Sequence, residues 1–237
     1  TVKRVHQELG GKSPNLVLPD ADFAATLPST LSGPLVNTGQ SCISPTKVLV
    51  PRERMGEAEA FAKAMYSATP VGDPMQEGNH LGPVVNKAQF DKVRGLIQSA
   101  IDEGAKLVTG GPDLPSNVNR GYYIQPTVFS DVTPDMRIAK EEIFGPVITL
   151  MAYDSLDQAI DMANDTEYGL SAAISGDPAK AAPVAAKLRA GMVAINNWGP
   201  TPGAPFGGYK QSGNGREGGL AGLKDFMEMK AISGLPA

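Results

Sequence analysis

Cysteine and histidine are scarce in this 237-residue chain, which has one Cys and two His. A single Cys cannot form an intrachain disulfide, and a cysteine-based zinc site needs several thiolates at short spacing. His6 and His80 cannot make a three-histidine metal site, and the sequence has no HExxH motif. The composition therefore excludes a disulfide scaffold and the common zinc enzymes, and we expect no metal.

Long apolar runs and an excess of positive charge are also missing. The longest apolar run, from Val147 to Ala152, is far shorter than the ~20 residues that a membrane helix needs. The first residues lack the apolar core of a signal peptide, and because no Met precedes them we expect a piece of a longer protein. The 21 basic and 25 acidic residues give a net charge of −4, without the basic excess typical of nucleic-acid-binding proteins. We therefore expect a cytoplasmic protein that binds neither nucleic acid nor membrane.

The spacing of apolar residues predicts an α/β fold. Helical periodicity, as over residues 86–104, alternates with short β-branched or apolar runs such as 46–50 and 147–153. This alternation is typical of a largely parallel sheet flanked by helices. Pro28 and Pro34 predict that a helix over 22–36 is kinked or interrupted, since each proline removes a helix hydrogen bond.

Two C-terminal stretches differ from this pattern. Residues 196–222 are rich in Gly and Pro and too long for a simple connection, which suggests a loop that belongs to a functional site. Residues 226–232 have the composition of a strand but no neighbouring strand in the sequence. An exposed edge strand with no partner within the chain needs a cover.

Cys42 is the one strong nucleophile that this composition offers, and it lies in a loop between a predicted helix end and a predicted strand. A lone Cys is more often a buried apolar filler than a nucleophile. The small and polar residues around Cys42 favour the second interpretation, because they leave backbone N–H groups available to a developing oxyanion. From the residues alone, both interpretations stay open.

Five blocks, spread over essentially the whole chain and in the expected order, resemble the aldehyde dehydrogenase superfamily. The blocks are Glu8–Lys12 (ELGGK), Gly39–Cys42 (GQSC), Gly121–Thr127 (GYYIQPT), Lys140–Val147 (KEEIFGPV) and Pro205–Gly213 (PFGGYKQSG). The resemblance implies the catalytic, carboxy-terminal half of such an enzyme. Residues 1–12 would be the tail of a cofactor-binding domain, 13–223 the catalytic domain, and 224–237 an oligomerisation strand.

The resemblance also implies a mechanism. Cys42 would attack an aldehyde to form a thiohemiacetal, whose hydride passes to NAD or NADP. Glu8 would then activate the water that hydrolyses the resulting thioester, a role that contributes about 10²–10⁴-fold to a rate. Relatives that transfer the acyl group to coenzyme A generally lack this Glu, so Glu8 favours release of a free acid.

Cofactor contacts follow from the same resemblance. Glu142 would bind a ribose of the cofactor, and Phe144 would pack beside the nicotinamide, although ordinary core packing explains Phe144 as well. Gln89 would make a further ribose contact.

Substrate contacts are implied at Ser41, Ile43 and Phe206, which would line the aldehyde tunnel together with the 198–204 loop. Trp198 in that loop could equally be a structural plug.

The resemblance leaves gaps that bear on activity. The cofactor-binding domain and the Asn that helps to hold the oxyanion lie outside this sequence, so we expect the chain alone to lack dehydrogenase activity and to need its amino-terminal partner domain. We also expect a homo-oligomer, either a dimer or a tetramer. Two alternatives remain, namely a catalytically silent structural relative and a cofactor-free esterase that uses Cys42.

Overall fold

One seven-stranded sheet organises the chain, whose computed structural model describes residues 2–78 and 80–234. The strands are β1 (Pro14–Val17), β2 (Lys47–Pro51), β3 (Lys106–Thr109), β4 (Thr127–Ser130), β5 (Val147–Tyr153), β6 (Ser171–Ser175) and β7 (Met192–Ile195). Their order is β3-β4-β5-β2-β1-β6-β7, and every neighbouring pair is parallel except β3 with β4. The predicted largely parallel sheet is confirmed.

Helices cover both faces of the sheet. They are α1 (Phe23–Ser32), α2 (Met55–Ser67), α3 (Lys87–Asp102), α4 (Arg137–Lys140), α5 (Leu156–Asn164), α6 (Pro178–Ala185) and α7 (Gly219–Asp225). Apolar side chains of α1 and α2 form one core layer, and those of α3 to α6 form the other. No helix within residues 2–78 and 80–234 is long and apolar enough to cross a membrane.

β5 shows why the sequence folds in this way. Its alternate residues face opposite core layers, with Val147 and Met151 on the α3 side and Ile148 and Leu150 on the α1 side. A strand buried on both faces reads as a continuous apolar run, which is typical of a parallel sheet. The longest apolar run of the sequence is therefore a strand near the centre of the sheet.

The chain before Cys42 is interrupted as predicted. Pro28 lies inside α1 without ending it. α1 ends at Ser32, and the 3-10 segment that follows, Gly33–Gly39, is broken at residues 36–38, whose backbone angles are not helical. Gly39 has a φ of 71°, and a side chain there would collide with the backbone of Gly145. Only glycine fits this approach, so the Cys42 loop packs directly on the segment before β5.

Three elements were not expected from the sequence. β1 begins with Pro14 and carries Asn15, so it lacks the pattern of a strand, yet it lies between β2 and β6. The short helix α4 was missed, and α7 begins inside the stretch that the sequence predicts as one loop.

The predicted C-terminal strand is absent from the single chain. Residues 226–232 pair with none of the seven strands, and Phe226 and Met229 are 85% and 96% exposed. Pairing with another chain stays a prediction for this segment. Residues 1 and 235–237, which the predicted domain boundaries include, lie outside the described residues.

Candidate active site

The predicted catalytic and cofactor residues meet at one edge of the sheet. Glu8, Cys42 and Glu142 precede β1, β2 and β5 respectively, and these three strands are parallel neighbours in the order β5-β2-β1. The amino ends of parallel neighbours lie side by side, so residues from distant parts of the sequence come together. The site therefore lies at the amino ends of the strands. Doubly wound sheets usually bind ligands at the opposite side, at the carboxyl ends of their strands.

Two glycines hold this meeting point together. The Gly11 N–H donates to Glu142 Oε1 at 2.9 Å, and a side chain at Gly11 would collide with the carbonyl oxygen of Cys42. A side chain at Gly10 would come within 2.7 Å of Glu142 Oε2. The ELGGK block therefore needs glycine at position 11, where its backbone touches the backbone of the Cys42 loop, whereas a side chain at position 10 would displace the Glu142 carboxylate.

Cys42 is half-buried. Burial raises the pKa of its thiol, and the nearby carboxylates of Glu142 and Glu8 raise it further. The backbone amides of Cys42 and Ile43 act in the opposite direction, since they favour the thiolate. At neutral pH the thiol form dominates, and this chain alone gives the sulfur little help to ionise.

Glu8 combines a fixed backbone with a carboxylate that has no bonded partner. Both of its carboxylate oxygens are buried and accept no hydrogen bond from the described residues. Burial raises the pKa of this carboxyl, the charge of Glu217 raises it further, and Arg216 partly opposes them. A raised pKa brings a carboxylate base closer to neutral pH, where general-base catalysis is most effective.

The loop from residue 212 to 215 supplies the rigid frame around Glu8. Leu9 N–H donates to Ser212 O at 3.0 Å, and the buried Ser212 hydroxyl donates to Gly10 O at 2.7 Å. Gly215 N–H donates to Gln7 O at 3.0 Å. The peptides on both sides of Glu8 are therefore held while the carboxylate stays available.

Gln89 and Phe144 come together beside Glu142. The Gln89 amide donates to Ile143 O at 3.0 Å and to Phe144 O at 2.9 Å, which leaves its carbonyl oxygen for any ribose contact. Phe144 is half-buried, and its φ of 56° is the left-handed conformation that costs a non-glycine residue about 1–2 kcal/mol. Such strain persists where surrounding contacts impose it, and it is frequent at functional sites.

The three predicted substrate residues differ in how deeply they are buried. Ser41 and Phe206 are half-buried, whereas Ile43 is only 7% exposed. Phe206 exchanges two backbone hydrogen bonds of 2.7 Å with Glu217, whose charge acts on Glu8. Trp198 packs against the backbone of Gly33.

Sequence reasoning missed the charged residues around Glu8. Arg216 and Glu217 shift its pKa in opposite directions. They lie three and four residues after the end of the last recognised block, so the available signal was their closeness to that block in the sequence. The buried ammonium of Lys12 was also missed, because a lysine ordinarily indicates surface.

Lys12 is 1% exposed, and its Nζ has no acceptor among the described residues. Burial lowers the pKa of this ammonium to about 7, Lys47 lowers it further, and the charge of Glu142 opposes the shift. Between about pH 7 and pH 10 the unfolded chain therefore binds more protons than the folded chain, so stability rises with pH in this window.

We expect Lys12→Met to stabilise the chain at pH 6 by about 1–4 kcal/mol, because an apolar side chain of similar length replaces a buried charge. The advantage should shrink towards pH 10, where the ammonium of the unfolded chain also loses its proton. Urea unfolding at both pH values measures the difference, with the exposed Lys63→Met as matched control. Equal destabilisation by Lys12→Met at both pH values would show that the prediction is wrong.

Comparison with known proteins identifies the family. The model of the aldehyde dehydrogenase family matches residues 1–232. The chain belongs to the aldehyde dehydrogenase family. A curated relative from Staphylococcus haemolyticus is 46% identical over 233 residues, which are 98% of this chain and 49% of that protein. The chain thus spans about half the length of the curated relatives that it matches.

Solved aldehyde dehydrogenases have the same fold. One is a mutant of aldehyde dehydrogenase C from Pseudomonas syringae in complex with NAD+ and octanal, which superposes with a TM-score of 0.94 at 52% identity. The match covers 98% of this chain and 48% of the P. syringae chain. The Mycobacterium tuberculosis enzyme in complex with NAD+ has a TM-score of 0.92 at 40% identity, over 97% of this chain and 48% of its own. The fold predicted from the resemblance is confirmed.

Proposed function

We propose that this chain is the catalytic part of an NAD- or NADP-dependent aldehyde dehydrogenase that oxidises an aldehyde to a carboxylic acid. The observation that carries the proposal is the meeting of Cys42 with Glu8, whose buried carboxylate accepts no hydrogen bond from the described residues. A thiol nucleophile and a base near each other are the two groups that acyl chemistry through a thioester requires.

The first step uses Cys42. Its sulfur, once deprotonated, attacks the carbonyl carbon, and the C=O electron pair moves to the oxygen to give a thiohemiacetal oxyanion. Backbone N–H groups of the Cys42 loop would stabilise that oxyanion, as preorganised donors do in acyl transfer.

Glu142, Phe144 and Gln89 would hold the cofactor. Glu142 keeps Oε2 for a ribose hydroxyl while Oε1 binds Gly11, and Gln89 fixes the Phe144 backbone, so the donor set suits a ribose and a planar ring. A bound NAD or NADP would supply the acceptor for the hydride that leaves the thiohemiacetal carbon as the C=O bond re-forms to give a thioester on Cys42. The NAD+ complexes of similar enzymes make NAD the first cofactor to test.

Glu8 completes the cycle. It takes a proton from a water molecule as the water oxygen attacks the thioester carbon, and the C–S bond breaks to release the carboxylic acid and the Cys42 thiolate. Because Glu8 must be ionised for this role, its raised pKa predicts that hydrolysis slows as the pH falls through that value.

Aliphatic aldehydes are the first substrates to test. The P. syringae mutant was crystallised with octanal, and Phe206 is an apolar residue whose backbone pairs with Glu217 near the proposed base. We also propose a cytoplasmic homo-oligomer in which residues 224–237 pair with another subunit.

A chimera tests the proposed function. Because the chain matches about half of the P. syringae enzyme, we expect it to produce no NADH from octanal alone, but to do so when it replaces the corresponding part of that enzyme. NADH absorbance measures both. A folded, NAD-binding chimera that leaves octanal untouched would favour the silent relative, and hydrolysis of a p-nitrophenyl ester by the chain without NAD would favour the esterase.

A further inference from the structure

A histidine joins the segment before Glu8 to the C-terminal part of the chain. His6 Nδ1 lies 3.0 Å from Asp225 Oδ2, and the imidazole stacks on the Phe226 ring with centroids 6.1 Å apart and planes 10° apart. The same Asp225 oxygen accepts the backbone N–H of Arg216 at 2.9 Å. One carboxylate therefore links three segments, and we call this contact the His6–Asp225 tie.

The tie lies next to the groups that control Glu8. His6 is two residues before Glu8, and the Arg216 backbone is held by the same carboxylate. The charges of Arg216 and of its neighbour Glu217 shift the pKa of Glu8. The tie thus helps to set the distance between the Glu8 carboxylate and the two charges that act on it.

We propose that His6 is a pH-dependent positioning residue for Glu8, an inference that rests on the proposed role of Glu8 as general base. While the imidazole is protonated, an ion pair with Asp225 holds the Glu8 and Arg216 segments together. When the imidazole loses its proton, an imidazole N–H can still donate to the Asp225 carboxylate, but the attraction between two opposite charges is lost. Histidine is the side chain whose ordinary titration falls between pH 5 and 8.

Other charged groups lie in the segments that pack around His6. They are Lys3, Arg4 and Glu8 on its own segment, Arg216 and Glu217 on the loop before α7, and Lys224, Asp225, Glu228 and Lys230 in and after α7. Arg4 pairs with Glu228 at 2.9 Å, so those two charges offset each other beside the tie. Since Glu8 also has a raised pKa, the test must separate its titration from that of His6.

Amide hydrogen exchange on the chain itself tests the tie. We expect protection factors at residues 7–9 and 216–217, corrected for intrinsic rates, to fall by about two- to fivefold between pH 5.5 and pH 8. His6→Gln can still donate to Asp225 but carries no charge, so it should abolish this pH dependence. His80→Gln is the matched control, because His80 contacts only the Asp73 carbonyl oxygen among the hydrogen bonds of the described residues, and it should behave like wild type.

Two results would overturn the proposal. One is pH-independent protection in the wild-type chain, and the other is a pH dependence that survives in His6→Gln and therefore comes from Glu8 or another group. If His6→Gln does not fold, NMR titration of wild type decides, because the His6 ring and the Leu9 and Arg216 amides should share one midpoint. None of these measurements depends on turnover. An inactive chimera would therefore refute the proposed function, but it would not bear on whether the His6–Asp225 tie depends on pH.

Discussion

Cys42→Ala should abolish aldehyde oxidation in the chimera, with a loss of at least about 10³-fold in kcat. The sequence contains no second thiol that could replace the nucleophile. Alanine keeps the backbone amides of the Cys42 loop and removes only the sulfur, so a loss in rate reports the chemical step. NADH formation from octanal under saturating NAD measures the effect.

Folding and cofactor binding are the controls for this variant. Cys42 is half-buried and its sulfur makes no side-chain hydrogen bond within the described residues, so the thermal midpoint and the NAD affinity of the chimera should stay close to those of the parent. Turnover retained within tenfold of the parent would rule out Cys42 as nucleophile. Iodoacetamide adds a second check, since an inert buried thiol would resist alkylation even at pH 9.

Much of the fold could be predicted because its signals are local. The apolar run of β5 and the helical periodicity of α3 come directly from neighbouring residues, and β5 was predicted with the bounds that the structure has. β1 was missed because its central position depends on long-range pairing with β2 and β6 rather than on its own residues.

For the candidate site as well, some features could be predicted from the sequence and others depend on the fold. The blocks that contain Glu8, Cys42 and Glu142 are visible in the sequence, but their residues do not reveal that the three precede neighbouring strands. The effect of Glu217 and Arg216 on Glu8 depends on distances that only the folded loop provides. Burial of Lys12 is likewise a property of the packed sheet edge, which no local pattern indicates.

Glu8→Gln should separate the two halves of the reaction. Glutamine keeps the shape of the side chain but cannot take a proton from water, so hydrolysis of the thioester should slow by about 10²–10⁴-fold in the chimera. Because acylation does not need this base, the first turnover should remain fast and acyl-enzyme should accumulate. Rapid mixing with octanal and NAD should therefore show a burst of NADH that matches the enzyme concentration, followed by a slow steady state.

The same substitution should make Cys42 more reactive. The Glu8 charge raises the pKa of the Cys42 thiol, so its removal lowers that pKa and increases the thiolate fraction at pH 7.5. We expect iodoacetamide to alkylate Cys42 about two- to fivefold faster in Glu8→Gln than in wild type, both in the chain alone and in the chimera. The exposed Glu77→Gln removes the same charge elsewhere and should change neither rate. Steady-state turnover equal to that of the parent would place the base at another residue. Slower alkylation in Glu8→Gln would contradict the effect of the Glu8 charge on the pKa of Cys42.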